Sequence, residues 1–399
     1  HTALKKSVKL RMASDVPLGA FLSGGTDSTV ISALMQAQSD EPINTFSIGF
    51  DVENYNEAVF AKQVAEHLGT KHHERYFSSK EVLDIVPRLG SMFDEPFSDA
   101  SQMPTFLVSN MAKEKVTVAL TGDGGDELFC GYQRYQAADK IWGKIKYLPF
   151  RSFIAKSIDR CPTNVLNFMF FFLQNSANRL GRKGAVGKKL KTLANWLDRG
   201  TAEEFYQQLL VHWKLSDNLF VRELSLSDLD FLARGIGEFD EFFEWMMFLD
   251  STTYLSGDIL TKVDRTAMNV SLEGRIPLLD PNVVDIAWQL PISMRQNGSI
   301  GKWALKEVLY KYVPKEIMER PKMGFGVPIA SWLKNELKEW AQDLLSYDRL
   351  RRQKLYNPEV VTDTLNSHLS NKEDNSAKLW DILMVQAWLD ADKRREKRI

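Results

Sequence analysis

A turn of two serines, two glycines and an aspartate follows the apolar run at residues 18–22, with the sequence Ser23-Gly24-Gly25-Thr26-Asp27-Ser28. Glycine lets the backbone approach a ligand closely, and the helix predicted from Asp27 to about Gln38 begins with free N–H groups at the positive end of its dipole. The hydroxyls of the two serines add donors. The carboxylate of Asp27 is compatible with phosphate there when a divalent cation bridges the two. The turn therefore predicts a phosphate-binding loop, although it does not have the Walker A pattern.

A second turn, Thr121-Gly122-Asp123-Gly124-Gly125-Asp126-Glu127, follows another buried run. Its three carboxylates lie within five residues and repel one another unless a cation or a proton is shared. Mg²⁺ would supply that cation, since it prefers carboxylate and phosphate oxygens. Asp126 and Glu127 also suit the first turn of a helix as partners of its dipole, which leaves a structural role for Glu127 open. Asp123 lies in the turn itself, where its side chain can face a ligand.

Strand and helix patterns alternate through the first third of the chain. A strand is predicted to end at residues 21–22, further strands to span 44–50, 75–77 and 116–120, and helices to span 57–68, 81–92 and 104–114. This alternation favours an α/β fold with a parallel sheet and helices on both faces. Ligands of such sheets bind at the carboxyl ends of the strands, where both turns lie.

The pattern changes near residue 141, beyond which helices dominate. We therefore predict an α/β core at 1–140, a helical insertion at 141–250, and a helical part at 251–399 that completes the active site. Residues 180–191 are basic and rich in glycine. They are predicted to form a solvent-exposed connecting segment, and a phosphate-binding site is the alternative.

Composition limits the class of protein. The 399 residues are 44% hydrophobic, enough for two or three domains with buried cores. Lys and Arg (51) balance Asp and Glu (52), so the net charge of -1 gives no support for a nucleic-acid partner. Two cysteines, Cys130 and Cys161, form neither a disulfide framework nor a CxxC site, so the cytoplasm is expected. The apolar run at 165–173 is shorter than the roughly 18 residues of a spanning helix, so no membrane partner is expected.

The two turns, with Tyr132, resemble those in the synthetase half of glutamine-dependent asparagine synthetases, which are ATP pyrophosphatases with a PP-loop. Segments 258–265, 272–280 and 320–328 have counterparts in that family, so the resemblance covers nearly the whole chain. It implies a Rossmann-like fold of the adenine-nucleotide α-hydrolase type with a large, mostly helical C-terminal part. This agrees with the alternation of strands and helices.

The resemblance also implies a reaction and its cofactors, ATP and Mg²⁺. ATP adenylates a substrate carboxylate with release of pyrophosphate, and ammonia then attacks the acyl-adenylate. The implied ATP and pyrophosphate site consists of Phe21, Ser23, Gly24, Gly25, Asp27, Ser28, Ile48, Thr121, Gly122, Tyr132 and Lys302, with Phe21 and Ile48 beside the adenine. Gly122 would let the nucleotide approach its strand end. The implied Mg²⁺ ligands are Asp27 and Asp126.

Two implied catalytic residues are Asp123 and Lys322. Lys322 would neutralise charge on the leaving pyrophosphate and on the tetrahedral centre. Asp123 is the expected general base, although some asparagine synthetases have Glu there, which reaches one methylene further. A general base must come within hydrogen-bond distance of the proton that it accepts. If the side chain of Asp123 is too short for this, one water molecule can bridge the remaining distance.

Other candidates leave alternatives open. Substrate contact or support is considered for Glu127, Asp258, Lys262, Glu273 and Arg275. Lys262, Asp264 and Arg265 could equally form a solvated, ion-paired helix face, Glu273 and Arg275 a buried pair, and Lys302 an exposed lysine. His67, His72 and His73 lack carboxylate or cysteine partners at metal spacing, so a structural role is predicted for them.

The expected function is amidation of a carboxylate, with free aspartate ranked first. A uronic-acid sugar of surface-polysaccharide biosynthesis, intramolecular amide closure, and a nucleotide-binding scaffold without turnover are the alternatives. No N-terminal nucleophilic cysteine is present, so this chain is expected to use free ammonia. By resemblance, an N-terminal glutaminase domain, absent from these residues, supplies ammonia in the intact protein. A homodimer is one assembly that stays open.

Overall fold

A five-stranded parallel sheet forms the centre of the fold, in the order β3-β2-β1-β4-β5. The computed structural model describes residues 1–50, 57–162, 165–166, 169, 186–222, 239, 241–319 and 326–396. The strands are β1 (Leu18–Phe21), β2 (Asn44–Phe50), β3 (Lys71–Phe77), β4 (Val118–Leu120) and β5 (Glu273–Arg275), with a separate small antiparallel pair, β6 (Gln296–Asn297) and β7 (Ile300–Gly301).

Helices make up most of the remaining described residues. They are α1 (Thr2–Met12), α2 (Thr26–Gln36), α3 (Ala58–Leu68), α4 (Ser79–Leu83), α5 (Val86–Met92), α6 (Gln102–Lys113), α7 (Gly125–Leu128), α8 (Gln133–Ile145), α9 (Arg151–Arg160), α10 (Val186–Leu197), α11 (Ala202–Leu210), α12 (Phe242–Thr252), α13 (Thr261–Met268), α14 (Pro281–Gln289), α15 (Ile292–Arg295), α16 (Trp303–Leu309), α17 (Lys315–Met318), α18 (Ile329–Trp332), α19 (Lys338–Leu344), α20 (Tyr347–Gln353), α21 (Pro358–Leu369) and α22 (Ser376–Glu396). None of those described is both long enough and apolar enough to cross a membrane.

The strand order places both candidate turns at the same point of the sheet. From β1 the chain moves to β2 and β3 on one side, and later to β4 and β5 on the other. The order therefore reverses between β1 and β4, and ligands of doubly wound sheets bind in the crevice at such a point. The glycine turn follows β1, and the acidic turn follows β4.

Buried apolar residues hold these strands in place. β4 is buried throughout, and in α2 the residues Val30, Ile31 and Leu34 are at most 1% exposed. They share one core with α1, β1, β4 and α16. The edge strands β3 and β5 are more exposed, as expected where one side of a strand lacks a neighbour. Helix α2, which follows the glycine turn, is thus packed against the centre of the sheet.

The α/β expectation is confirmed, with three local differences. β3 begins at Lys71 and not at residue 75, because its backbone pairs with β2 along its whole length. The helical segment predicted at 81–92 is two helices, since Pro87 lies near the start of α5 and proline is poorly tolerated inside a helix. Strand β5 was not predicted, because Glu273-Gly274-Arg275 contains no apolar or β-branched residue.

The chain divides into two compact units. The first contains His1–Tyr132, Leu215–Leu224 and Met247–Ile399, and the second contains Gln133–Lys214 and Ser225–Met246. The second unit has an aromatic core in which Trp142, Phe205 and Phe242 pack on one another and Trp245 stacks on Phe242. The three-part division with boundaries at 140 and 250 stays a prediction.

Candidate active site

The serines of the first turn bind each other and the turn backbone. The hydroxyls of Ser23 and Ser28 are 3.0 Å apart, and the amide of Ser23 donates to the Ser28 hydroxyl at 3.2 Å. Gly24 has a φ of 72°, in the left-handed region that favours glycine. Gly25 caps α2 without a side-chain hydrogen bond. The start of α2 is therefore not capped by a side chain, and an anion can bind there.

Gly122 brings the second turn against the first. A Cβ at this position would lie 2.6 Å from the Ser28 amide nitrogen and 2.7 Å from the carbonyl carbon of Asp27. Only a residue without a side chain allows this approach of backbone to backbone. The contact therefore explains the glycine by packing of the two turns, while its expected role in admitting nucleotide stays a prediction.

Lys302 connects the two turns through its ammonium group. Its Nζ forms ion pairs with Asp27 and with Asp126, the second at 2.9 Å from Oδ1. The β6–β7 pair delivers this lysine, and its amide donates to the carbonyl of Phe129 at 2.9 Å. Lys302 is 8% exposed, so the alternative of an exposed lysine is wrong.

The charges in this cluster stabilise one another. Burial lowers the pKa of Lys302, but the carboxylates of Asp27 and Asp126 outweigh it and raise that pKa above the ordinary lysine value. Lys302 therefore stays protonated, and the buried charges are balanced by close partners, as buried ions require.

Asp27 and Asp126 also have the chemistry of a magnesium site. Mg²⁺ is usually bound through one or two carboxylates together with substrate phosphates, and both carboxylates here meet at the ammonium of Lys302 beside the glycine turn. In the described residues no group of three or more His, Cys, Asp or Glu side chains could hold a metal ion. Two carboxylates suit an ion that takes its other ligands from phosphate and water. They suit less well an ion whose ligands all come from the protein.

Asp123 accepts a hydrogen bond from the Thr121 hydroxyl at 2.7 Å. Burial raises the pKa of Asp123 above its ordinary value, against the opposing effects of this hydrogen bond and of the charge of Lys262. A raised pKa brings a carboxylate closer to the range in which it accepts and returns protons near neutral pH.

Glu127 lies next to Asp126 and is 1% exposed. The Tyr132 hydroxyl donates to Glu127 Oε1 at 2.7 Å, and the ring of Tyr132 meets Tyr254 edge-on. Burial raises the pKa of Glu127 to about 7, while the Tyr132 hydrogen bond lowers it. Glu127 is therefore a second acid whose proton exchanges near neutral pH.

A buried ion pair lies beyond the acidic turn. Lys262 Nζ donates to Asp99 Oδ2 at 2.6 Å and to the Ser101 hydroxyl at 2.8 Å. Burial acts to raise the pKa of Asp99, but Lys262 and the Ser101 hydrogen bonds hold it below its ordinary value. The solvated-face alternative is wrong for Lys262, which is 8% exposed. A solvated, ion-paired helix face is correct for Asp264 and Arg265, which are exposed and form an ion pair at 3.0 Å.

The comparison with protein families decides the class of this chain. The sequence profile of the asparagine synthase family matches residues 1–390. The chain belongs to the asparagine synthase family. It is 31% identical over 407 residues to glutamine-hydrolysing asparagine synthetase 1 of Bacillus subtilis (strain 168), an alignment with 98% of this chain and 59% of that protein.

Two further relatives show how the similarity is distributed. Glutamine-hydrolysing asparagine synthetase 3 of the same Bacillus strain is 22% identical over 361 residues, which are 87% of this chain and 51% of that protein. Asparagine synthetase B of Escherichia coli (strain K12) is 35% identical over 153 residues, 34% of this chain. This asparagine synthase family member thus spans 59% and 51% of the two Bacillus proteins.

Some predicted site residues lie apart from the cluster around Lys302. Arg275 pairs with Glu273 at 2.6 Å and donates to the carbonyls of Arg11 and Ala13, so it braces the end of α1. The side chain of Glu273 is 55% exposed, so a buried pair is wrong. The backbone of Arg275 does reach the acidic turn, because its carbonyl accepts from the Thr121 amide at 2.9 Å.

The remaining predicted residues differ in setting. Phe21 ends β1 half-buried, and Ile48 is 3% exposed on β2. Asp258 lies in a π-helical turn, Leu255–Leu260, just before α13, and such turns often occur at functional sites. Lys322 lies outside the described residues, so its catalytic role stays a prediction.

The histidines of this asparagine synthase family member make structural contacts. The ring of His72 lies 2.9 Å from the Thr45 hydroxyl and 3.0 Å from that of Ser47. His73 Nε2 lies 3.0 Å from Asn44 Oδ1 and the ring stacks on Phe46. The predicted structural role is confirmed for both.

Two residues of the site were not singled out from the sequence, Asp99 and Ser101. They lie in an acidic segment whose partner, Lys262, is far away along the chain. An aspartate side chain often accepts from the backbone amide two residues further on, and the Ser101 amide donates to Asp99 in this way at 2.9 Å. The Ser101 hydroxyl also donates to Asp99, at 2.7 Å.

Proposed function

We propose that this chain is the synthetase part of an AMP-forming amide ligase. A substrate carboxylate oxygen attacks the α-phosphorus of ATP and pyrophosphate leaves. Ammonia then attacks the acyl carbon, and AMP leaves with the bonding electrons of the acyl–oxygen bond. The observation that carries the proposal is the Asp27–Lys302–Asp126 cluster beside the glycine turn, at the point where the strand order reverses.

Each part of the cluster suits one demand of this chemistry. The turn Ser23–Ser28 and the start of α2 would bind the pyrophosphate, and Lys302 lies within reach to balance its charge. Asp27 and Asp126 would hold Mg²⁺, whose contribution is to neutralise the phosphate oxygens. Lys322 is proposed to act on the same charge.

Two acids of the second turn, the half-buried Asp123 and the buried Glu127, are placed to take the proton from the attacking ammonia. Asp123 is the proposed base, and Glu127, with a pKa raised by burial to about 7, is the alternative. Asp123→Asn and Glu127→Gln separate them. The variant that lacks the base still releases pyrophosphate when its carboxylate substrate is present, but it forms little amide. The other variant still forms nearly one amide for each pyrophosphate released.

The proposed acceptor is the side-chain carboxylate of L-aspartate, which would give asparagine. Support comes from the relatives, which are named asparagine synthetases. The same names describe glutamine hydrolysis, so we propose that a glutaminase domain supplies ammonia in the intact protein. Because no residue here is proposed to hydrolyse glutamine, free ammonium is the expected nitrogen source for residues 1–399.

The direct test mixes the chain with ATP, Mg²⁺, ammonium and a panel of carboxylates, and measures AMP, pyrophosphate and amide. The panel contains aspartate, glutamate, galacturonic acid and glucuronic acid. Equal amounts of AMP, pyrophosphate and asparagine with aspartate support the proposal. Formation of ADP and phosphate contradicts the reaction class, whereas amidation of a uronic acid alone contradicts only the acceptor.

Asp27→Asn tests the loop in the same assay. The change removes one charge and one metal ligand but keeps the size of the side chain, so pyrophosphate release falls about 100-fold or more. Lys5→Met, on α1 and half-buried, is the control and keeps most of the activity. Near-normal release by Asp27→Asn would show that the loop is structural.

A further inference from the structure

An exposed aromatic segment lies in the second unit, between α8 and the middle of α9. Tyr147, Phe150 and Phe153 are 79%, 82% and 73% exposed, the highest values among large apolar side chains in the described residues. Leu148 and Ile154 are exposed beside them. Large apolar side chains that are this exposed and this close along the chain are one sign of an interaction surface.

The helix α9 is oriented so that these side chains point outward. Phe153 and Ile154 are exposed residues of α9, and Phe150 is the residue that directly precedes the helix. On the rest of the helix, Ala155 is buried and the Ser152 hydroxyl donates to Asp198 at 2.7 Å. α9 packs against α10, so the apolar stripe belongs to a helix whose inner contacts are already made.

Basic residues surround this stripe. Between residues 140 and 160 there are six lysines and arginines, Lys140, Lys144, Lys146, Arg151, Lys156 and Arg160, and one acid, Asp159. Two more acids, Asp139 and Asp198, lie beside this segment, so the basic residues outnumber the acids by six to three. Asp159 pairs with Lys191 at 3.8 Å, which reduces its effect on the others. The whole chain has a net charge of -1, so the positive charge is concentrated here.

We propose that this aromatic–basic surface, residues 140–160, binds peripherally to an anionic lipid bilayer. Phenylalanine and isoleucine of an amphipathic helix enter the boundary between headgroups and acyl chains, while lysine and arginine bind the anionic headgroups. Each basic side chain near such a surface raises the partition coefficient about fivefold. The two properties occur together in one segment of the chain, the end of α8, the connection after it and α9.

Lipid fits this surface better than nucleic acid does. A nucleic acid would match the positive charge, and bases could stack on the phenylalanines. It would leave Leu148 and Ile154 exposed, because aliphatic side chains do not stack on bases. Peripheral binding also needs no spanning helix, so the expectation of no membrane partner, drawn from the short apolar run, does not cover this case.

The test is co-sedimentation of the whole chain with vesicles. Phosphatidylcholine vesicles with about one third phosphatidylglycerol are compared with pure phosphatidylcholine, at low and at high salt. Binding to the anionic vesicles at low salt, loss of most of that binding at high salt, and little binding to neutral vesicles are expected. Absence of binding to the anionic vesicles overturns the proposal.

Variants test the surface itself. Phe150→Asn with Phe153→Ser removes the aromatic side chains, asparagine being chosen because Phe150 has a φ of 56° and asparagine tolerates that region. Lys144→Gln with Lys146→Gln and Lys156→Gln removes three charges. Each set is expected to lower the partition coefficient at least about tenfold.

Matched controls lie on the first unit. Ile286→Ser removes an exposed apolar side chain of α14, and the triple change of Lys9, Lys80 and Lys338 to Gln removes three exposed charges. Both controls keep full vesicle binding if the surface is the one proposed. Equal loss in control and test variants overturns the assignment, as does binding to an oligonucleotide that persists while binding to anionic vesicles is absent.

Discussion

The ammonium of Lys302 lies between two carboxylates that repel each other without it. Lys302→Met leaves Asp27 and Asp126 facing each other in a mostly buried place. Breaking a buried ion pair by removing one partner costs about 3 kcal/mol or more, and we expect a loss of that size in the free energy of unfolding. Urea unfolding with and without Mg²⁺ measures it.

The measurement with Mg²⁺ compares how much the ion stabilises Lys302→Met and the unmodified chain. The ion offers the two carboxylates another cation, so Mg²⁺ restores more stability to Lys302→Met than it adds to the unmodified chain. Lys5→Met serves as the control and changes the unfolding free energy by less than about 1 kcal/mol, because a half-buried lysine on the surface of α1 contributes little. An unchanged midpoint for Lys302→Met would contradict the bridging role.

His72 makes the stability of the sheet depend on pH. Burial lowers the pKa of His72 below its ordinary value of 6.5, so the folded state favours the neutral ring. The stabilisation is therefore present above pH 6.5 and is lost as the pH falls through the lower pKa of the folded state. Urea unfolding at pH 7.5 and pH 5.5 should show a smaller loss for His72→Gln than for the unmodified chain.

The exposed His67 provides the control for that measurement. His67→Gln should keep the same loss of stability between the two pH values as the unmodified chain. If His72→Gln shows the same loss as well, the titration of His72 is not the cause.

The positions of the two turns could be predicted because each has its residues adjacent in the sequence. The family resemblance added Lys302 and Lys262 as candidates, but the carboxylates with which they pair could not be predicted. Lys302 meets Asp27 and Lys262 meets Asp99 only after folding, and neither lysine stands in a local pattern that distinguishes it from an exposed one. Burial, and with it the raised pKa of Glu127, depends on packing that a single sequence does not display.

At the scale of elements, the contact between the two turns depends on Gly122. Gly122→Ala places a methyl group against the backbone of Ser28 and Asp27, so one turn must move. We expect a loss of about 1–3 kcal/mol in unfolding free energy and, because a displacement near 1 Å is costly for positioning, about 100-fold slower pyrophosphate release. Calorimetry and the pyrophosphate assay measure the two effects.

Gly143 is the matched control for that substitution. It lies exposed in α8, and a Cβ built there meets no atom within 4 Å. Gly143→Ala should therefore stabilise the protein by about 0.5–1 kcal/mol, because alanine favours a helix more than glycine does. Comparable destabilisation by both changes would show that space around Gly122 is not the reason for its effect.

The elements with strong patterns were predictable, and those without were not. β2 and α3 have apolar residues at strand and helix spacing and lie within a residue of the predicted bounds. β5 consists of Glu, Gly and Arg, and it is a strand only because β4 offers it an open edge. Pairing with a distant partner, and not local propensity, defines it.

At the scale of the whole molecule, the site residues that the structure describes lie in one of the two units. Asp27, Asp126 and Lys302 belong to the first unit, and the second begins after Tyr132. A ligand stabilises the unit that binds it. In calorimetry, Mg²⁺ and ATP should therefore raise the melting temperature of the first unit. Gly143→Ala should raise the melting temperature of the second unit.

Simultaneous, equal shifts of a single transition in both experiments would contradict independent melting of the units. Asp27→Asn distinguishes nucleotide binding from a general effect of Mg²⁺, because its melting temperature should respond much less to the two ligands. The non-binding variant thus provides the reference for the size of the shift.

The distance along the chain between Asp27 and Lys302 has a consequence for biosynthesis. A ribosome releases β1, β2, β3 and β4 long before β5 and the lysine emerge. Until then the β4 edge of the sheet lacks its partner strand, and two acidic side chains lack their cation. We expect the growing polypeptide to recruit chaperones over this interval, and to lose them soon after residue 302 leaves the exit tunnel.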